Sequence, residues 1–224
     1  MNPLRFEDTV GRIATEHPAS IRVFQRHRID FCCGGREPLS QACGERGLDP
    51  ASVAREIEAE EARTPEAPVR WDELPLPAVI DHILAHYHRP LDTELPRLRE
   101  MAETVARVHG PKDPAFFDGI ARRVREVCDD LEQHLKQEED VVFPMLRGVG
   151  ASSSGGSVAL LTREHEAVGA MLDSLRRDTD DFTPPEEACA TWRALYEGLE
   201  MLERDCHEHI HLENNVLFPR ALAG

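Results

Sequence analysis

The chain has 224 residues, enough for one large domain or a mid-sized domain with a small companion, and enough to bury a core without disulfide staples. Its net charge of -16, from 42 acidic against 26 basic residues, argues against nucleic acid and anionic membrane surfaces as principal partners. No apolar run approaches the roughly 18 residues of a bilayer span, and the opening MNPLRFEDTV lacks the apolar stretch of a secretory signal. The expected address is therefore cytoplasmic, where the six cysteines stay reduced.

With 5% aromatic and 30% charged residues the composition favours helices over strands. Residues 1–62 read as a small helical domain, with helix-like runs at FEDTVGRIATE, PASIRVFQRH, PLSQACGERG and DPASVAREIEAEEA around the glycine-rich break IDFCCGGREP. Residues 63–77, RTPEAPVRWDELPLP, hold four prolines and read as a linker. Residues 78–224 carry four long helical patterns, A at about 77–108, B at about 114–146, C at about 157–179 and D at about 186–217. The breaks HGPKDP, RGVGASSSGGS and DTDDFTPP separate them. Pro90 and Pro96 each remove a donor inside A and predict a kink.

Each pattern has an apolar seam at helical spacing. B gives Val124, Val127, Leu131, His134, Glu138, Val141 and Met145; D gives Leu195, Leu199, Leu202, Cys206, His209, Glu213 and Val216. C gives Val158, Leu161, His165, Val168, Leu172 and Leu175; A gives Leu84, His88, Leu91, Leu95, Leu98, Ala102 and Val105. Four seams with short connections predict an all-α, up-down-up-down four-helix bundle. B and D also share one sentence, H-x-x-x-E-x-x-V-x-F-P, at HLKQEEDVVFP and HIHLENNVLFP.

In such a bundle His88, His134, His165 and His209 fall within roughly 6 Å of a common level at 1.5 Å rise per residue. Glu138 and Glu213 lie one turn beyond their histidines. A buried carboxylate costs several kcal/mol unless paired, so the six groups call for a common cause. They exceed one tetrahedral zinc site and suit two iron or manganese ions bridged by the glutamates. His82, His86, His207 and His211 fall off the seams and are expected to face solvent or to stand behind ligands. His17, His27 and His109 carry no signal. Val141, Phe143, Val216 and Phe218 read as packing, and Glu164 and Asp130 as solvated charges, with an acidic path for iron or protons as the other reading.

Cys32 and Cys33 are adjacent, so a bridge between them would be strained and easily reduced. Gly34 and Gly35 permit a sharp turn. A helix starting near Pro38 would favour a thiolate. The pair suits redox or iron-exchange chemistry, whereas Cys43, Cys128, Cys189 and Cys206 read as core.

On DFCCGG (30–35), IDHILAHYH (80–88), HLKQEEDVVFPML (134–146), REHEAVG (163–169) and HLENNVLFPRALAG (211–224), the chain resembles the iron–sulfur cluster repair di-iron proteins. These are a bacterial family with a hemerythrin-like bundle. The resemblance implies a non-haem di-iron centre, oxo- or hydroxo-bridged, held by His88, His134, His165, His209, Glu138 and Glu213. It also implies a part in nitrosative and oxidative stress, with damaged iron–sulfur proteins as clients. Gly169 stands where oxygen-carrying hemerythrins place a further histidine, which favours reactivity or metal release over oxygen carriage. Three functions stay open: iron delivery to damaged clusters, reduction of nitric oxide to nitrous oxide with Cys32 or Cys33 as electron relay, and sensing or scavenging of nitric oxide or oxygen. In the first two, the small domain would swing its cysteine turn toward the metals. A homodimer is the assembly considered.

Overall fold

A computed structural model describes residues 4–63, 69–148 and 155–223. The stretch 64–68 of the expected linker and 149–154 of the break between B and C lie outside the described residues. Among the described residues the architecture is all-α, and the β feature present is an isolated bridge between Thr9 and Pro38. No described helix is long and apolar enough to cross a membrane. Packing divides the described residues into two compact units, one of residues 4–81 and 207–223, the other of 82–148 and 155–206.

The first unit opens with four short helices, α1 (Val10–Glu16), α2 (Ser20–His27), α3 (Leu39–Glu45) and α4 (Pro50–Arg63). Thr9 caps α1 by accepting from the Arg12 amide, and Arg28, with φ at 54°, ends α2 in the left-handed region. Their apolar faces enclose Val10, Ile13, Val23, Phe24, Phe31, Leu39, Val53 and Ile57. The C-terminal segment belongs to this unit: the end of α10 (Ala190–Leu212), a π-helical turn π3 (Glu213–Leu217) and α11 (Phe218–Ala223). Helix α1 packs against π3. Arg220 donates to the carbonyls of Trp71 at 3.0 Å and Leu74 at 2.6 Å, holding the end of the expected linker to α11.

The second unit holds the long helices. Pattern A is α5 (Leu76–Ile83), whose last residues enter this unit, a π turn π1 (Leu84–His88) and α6 (Arg89–His109); pattern B is α7 (Pro114–Gln137), π2 (Glu138–Val142) and α8 (Phe143–Arg147). Pattern C is the uninterrupted α9 (Gly155–Asp178), and α10 contributes residues 190–206. Asp113 caps α7 through the Phe116 amide at 3.1 Å, with Pro114 in the first turn. Helix α7 packs on α6 and α9. Gly198 brings α10 so close to α6 that a Cβ there would press on Leu98 and Arg97. Trp192 meets Phe117 edge-on, and Arg176 of α9 binds Glu203 of α10 at 2.7 Å.

The predicted seams of α9 and α6 are buried residue for residue: Val158, Leu161, His165, Val168, Leu172 and Leu175 on one, Leu91, Leu95, Leu98, Ala102 and Val105 on the other. Pattern B departs after Glu138. Val141 is 47% exposed, not packed as expected, and the buried positions are Val142, Phe143 and Leu146. The cause is π2, where the Phe143 amide reaches back five residues to the Glu138 carbonyl and inserts one residue into the helical count. Pro144 follows at once; its ring cannot accept the usual approach of the carbonyl four residues back. The same sequence of events recurs at Pro90, after π1, where the Arg89 amide bonds Leu84, and at Pro219, after π3, where the Phe218 amide bonds Glu213. Pro90 thus acts through a widened turn, and Pro96 lies within α6.

Candidate metal centre

In the second unit four polar side chains are buried together: His88, His134 and His165, at 1%, 4% and 1% exposure, and Glu138 at 0%. The π turns set two of them, since π1 ends on His88 and π2 begins on Glu138. Glu138 Oε1 lies 3.3 Å from His134 Nε2 and 3.7 Å from His165 Nε2; Oε2 lies 3.4 Å from His88 Nε2. The Nε2 atoms of His134 and His165 are 3.0 Å apart. Neither Glu138 oxygen accepts a well-directed hydrogen bond.

The far ring nitrogens are braced. His134 Nδ1 donates to Glu164 Oε2 at 2.9 Å, and His88 Nδ1 to Glu139 Oε1 at 3.1 Å. A carboxylate only accepts, so each Nδ1 keeps its proton, and in the neutral ring Nε2 presents the lone pair. Arg89 in turn pairs with Glu139, and the Phe143 ring packs 5.6 Å from that of His88. Glu164 is thus a ring anchor rather than a plain solvated charge, while Asp130 is exposed.

Burial by itself would raise the Glu138 pKa; positive charge on the facing His134 and His165 rings outweighs it and holds the group below the ordinary carboxylate range, and with neutral rings a metal ion would supply that charge instead. Lone pairs and carboxylate oxygens aimed at one buried spot repel unless a cation sits among them. Nitrogen and oxygen donors, backed by carboxylates behind the rings, fit a borderline or hard transition-metal ion such as iron.

The first unit carries the other two predicted ligands. His209 and Glu213 are buried, at 1% and 0%, with Glu213 opening π3. His211, expected off the seam and either facing solvent or standing behind ligands, is buried as well. Its Nδ1 donates to the Phe31 carbonyl at 3.4 Å and its ring meets Phe31 edge-on at 5.6 Å. Burial lowers its pKa to about 4, against the opposing pull of that carbonyl. Beside it Asn215 Nδ2 donates to the carbonyls of Phe31 at 3.2 Å and Cys32 at 3.0 Å, and Asn214 donates to Cys32 at 3.3 Å. A Cβ on Gly35 or Gly11 would collide with the Asn215 side chain, so this contact requires glycine at both. The cysteine turn is therefore clamped to the turn that Glu213 opens.

Within it the Asp30 carboxylate accepts from the Cys32 and Cys33 amides at 3.1 and 2.9 Å. Cys32 Sγ lies 3.7 Å from Cys33 Sγ and 3.3 Å from Asp30 Oδ1. Cys32 is buried and Cys33 half-buried. The thiolate expected from the helix start near Pro38 is not favoured at Cys32. Contact with Cys33, then burial, then the charge of Asp30 all raise its pKa. Like this pair, the other four cysteines are thiols rather than disulfide partners, with Cys43, Cys128 and Cys206 buried.

Sequence reasoning missed Glu139, Asn214 and Asn215. The signal was in the repeat: where B has Glu139-Asp140, D has Asn214-Asn215. Glu139 must accept from an imidazole, whereas the amides must donate to carbonyls.

Residues 79–221 match the hemerythrin HHE cation binding domain, and residues 6–61 match ScdA_N, a domain of unknown function (DUF542). The chain is 41% identical over 217 residues, 96% of its length, to the iron–sulfur cluster repair protein YtfE of Yersinia pestis (strain Pestoides F), covering 97% of that protein. Identity and coverage are the same for YtfE of Yersinia pseudotuberculosis serotype O:1b (strain IP 31758). With both domains present in this order and the match running nearly end to end, the chain belongs to the YtfE family of iron–sulfur cluster repair proteins.

Proposed function

We propose that this protein restores iron–sulfur clusters damaged by nitrosative or oxidative stress by delivering iron from a di-iron centre. The observation that carries the reading is Glu138, fully buried and faced by three imidazoles, two of them braced from behind by Glu139 and Glu164. The proposed ligand set is His88, His134, His165 and His209, with Glu138 and Glu213 bridging. The burial of His209 and Glu213 and the repeated motif support their inclusion. Two bound iron ions would supply transferable ferrous iron, and that iron is the cargo.

The chain's residues divide the remaining work. Glu139 and Glu164 hold protons on the far imidazole nitrogens, which orients the rings with Nε2 as the metal-binding nitrogen. Phe143, buried and 5.6 Å from the His88 ring, shields that imidazole from water. Cys32 and Cys33 are the proposed iron-exchange thiols. With Asp30 they place one oxygen and two sulfur donors within 4.8 Å of one another, a set suited to a cation in transit. The clamp by Asn214 and Asn215 supports a fixed turn over one that swings on a linker.

The test is reactivation of a nitric-oxide-treated iron–sulfur dehydratase with the iron-loaded protein as sole iron source. Activity should return with loaded protein and not with stripped protein; equal recovery from both would contradict the reading. The 3.7 Å approach of the two thiols favours a second reading, in which the pair relays electrons for reduction of nitric oxide. Nitrous oxide formed over multiple turnovers would select it.

A further inference from the structure

We propose that His82 and His86 form a surface site for one divalent transition-metal ion, separate from the buried centre. The two are four residues apart, so they share one helix face across the junction of α5 and π1. Their ring centroids are 4.2 Å apart with an interplanar angle of 32°. Metal–imidazole bonds of about 2.0–2.1 Å let one ion join nitrogens up to about 4 Å apart, a separation that the four-residue spacing permits once the stacked rings turn edge to edge.

The ring chemistry agrees. His86 Nδ1 donates to the His82 carbonyl at 3.1 Å, which fixes its proton there and leaves Nε2 as the donor of an exposed side chain. His82 is half-buried, and Tyr87 packs edge-on against it at 5.7 Å, limiting its rotation. Burial, then the neighbouring His86, lowers the His82 pKa to about 4, so the ring is neutral, as a ligand must be, at physiological pH. Two imidazoles and solvent make a weak, open site suited to iron(II), nickel(II) or zinc(II). His86 shares π1 with His88, so the ion would rest within one widened turn of a buried imidazole.

The test uses the full-length protein with its buried centre loaded with iron. It is titrated with Ni2+ by calorimetry, with iron counted before and after. The wild-type protein should take up one Ni2+ per chain at the pair while keeping its iron. His86→Ala, an exposed change that leaves the fold intact, should weaken that uptake by on the order of tenfold or more, the worth of one ligand bond. His82→Ala should do the same, and His27→Ala should not. Ni2+ uptake by His86→Ala equal to wild type, or no uptake by wild type at submillimolar Ni2+, would overturn the proposal.

Discussion

The two copies of H-x-x-x-E-x-x-V-x-F-P share a backbone device and differ in what surrounds it. Each glutamate opens a π turn closed by an amide five residues on, and each turn is followed by phenylalanine and proline. In the first copy Val141 is 47% exposed; in the second its counterpart Val216 is 1% exposed, because α1 packs on π3. In the first copy Glu139 accepts from His88, and in the second Asn214 and Asn215 donate to the cysteine turn. The backbone of the motif places a carboxylate in the interior, and the two residues after it decide what that turn grips.

Charging the second copy at Val216 should therefore cost far more than charging the first. Val216→Asp buries a carboxylate without a partner and should lower stability by about 3–5 kcal/mol in urea denaturation. Next comes Asn215→Asp, which turns a donor to two carbonyls into an anion facing them. We expect a loss of about 2–3 kcal/mol and faster alkylation of Cys33. Cys128 serves as the unreactive reference, since burial pushes its pKa up to about 12. In the first copy Glu139→Ala removes the acceptor behind His88 and should weaken iron binding about 10–100-fold, as Glu164→Ala should behind His134, by competition with a chelator. The smallest effect belongs to Val141→Asp, which should stay within about 0.5 kcal/mol of wild type. A loss there as large as at Val216 would remove the distinction between the copies.

Much of this was legible in the residues. The seam of α9 came through whole because nothing interrupts its 3.6-residue period, and the four buried groups of the second unit lay on the predicted stripes. What failed did so at the π turns: an ideal period carries Val141 and Met145 inward, and one extra residue substitutes Val142 and Leu146. The prolines announced a disturbance but not its kind. The sequence left His211 open between solvent and a place behind ligands, because a single-face reading of D does not anticipate that its end is covered by the Phe31 turn as well. The raised pKa of Cys32 depends on Asp30 and Cys33 turning toward one sulfur, a tertiary arrangement that spacing does not encode.

Everything rests on cations reconciling Glu138 with the imidazoles around it. Iron quantification together with a Mössbauer spectrum, on the wild-type protein and on Glu138→Gln, tests this most directly. The account predicts two magnetically coupled irons per chain in the wild type and loss of most of that iron in the variant. A wild-type protein that takes up no iron, or a variant that keeps the same iron with an unchanged spectrum, would contradict it.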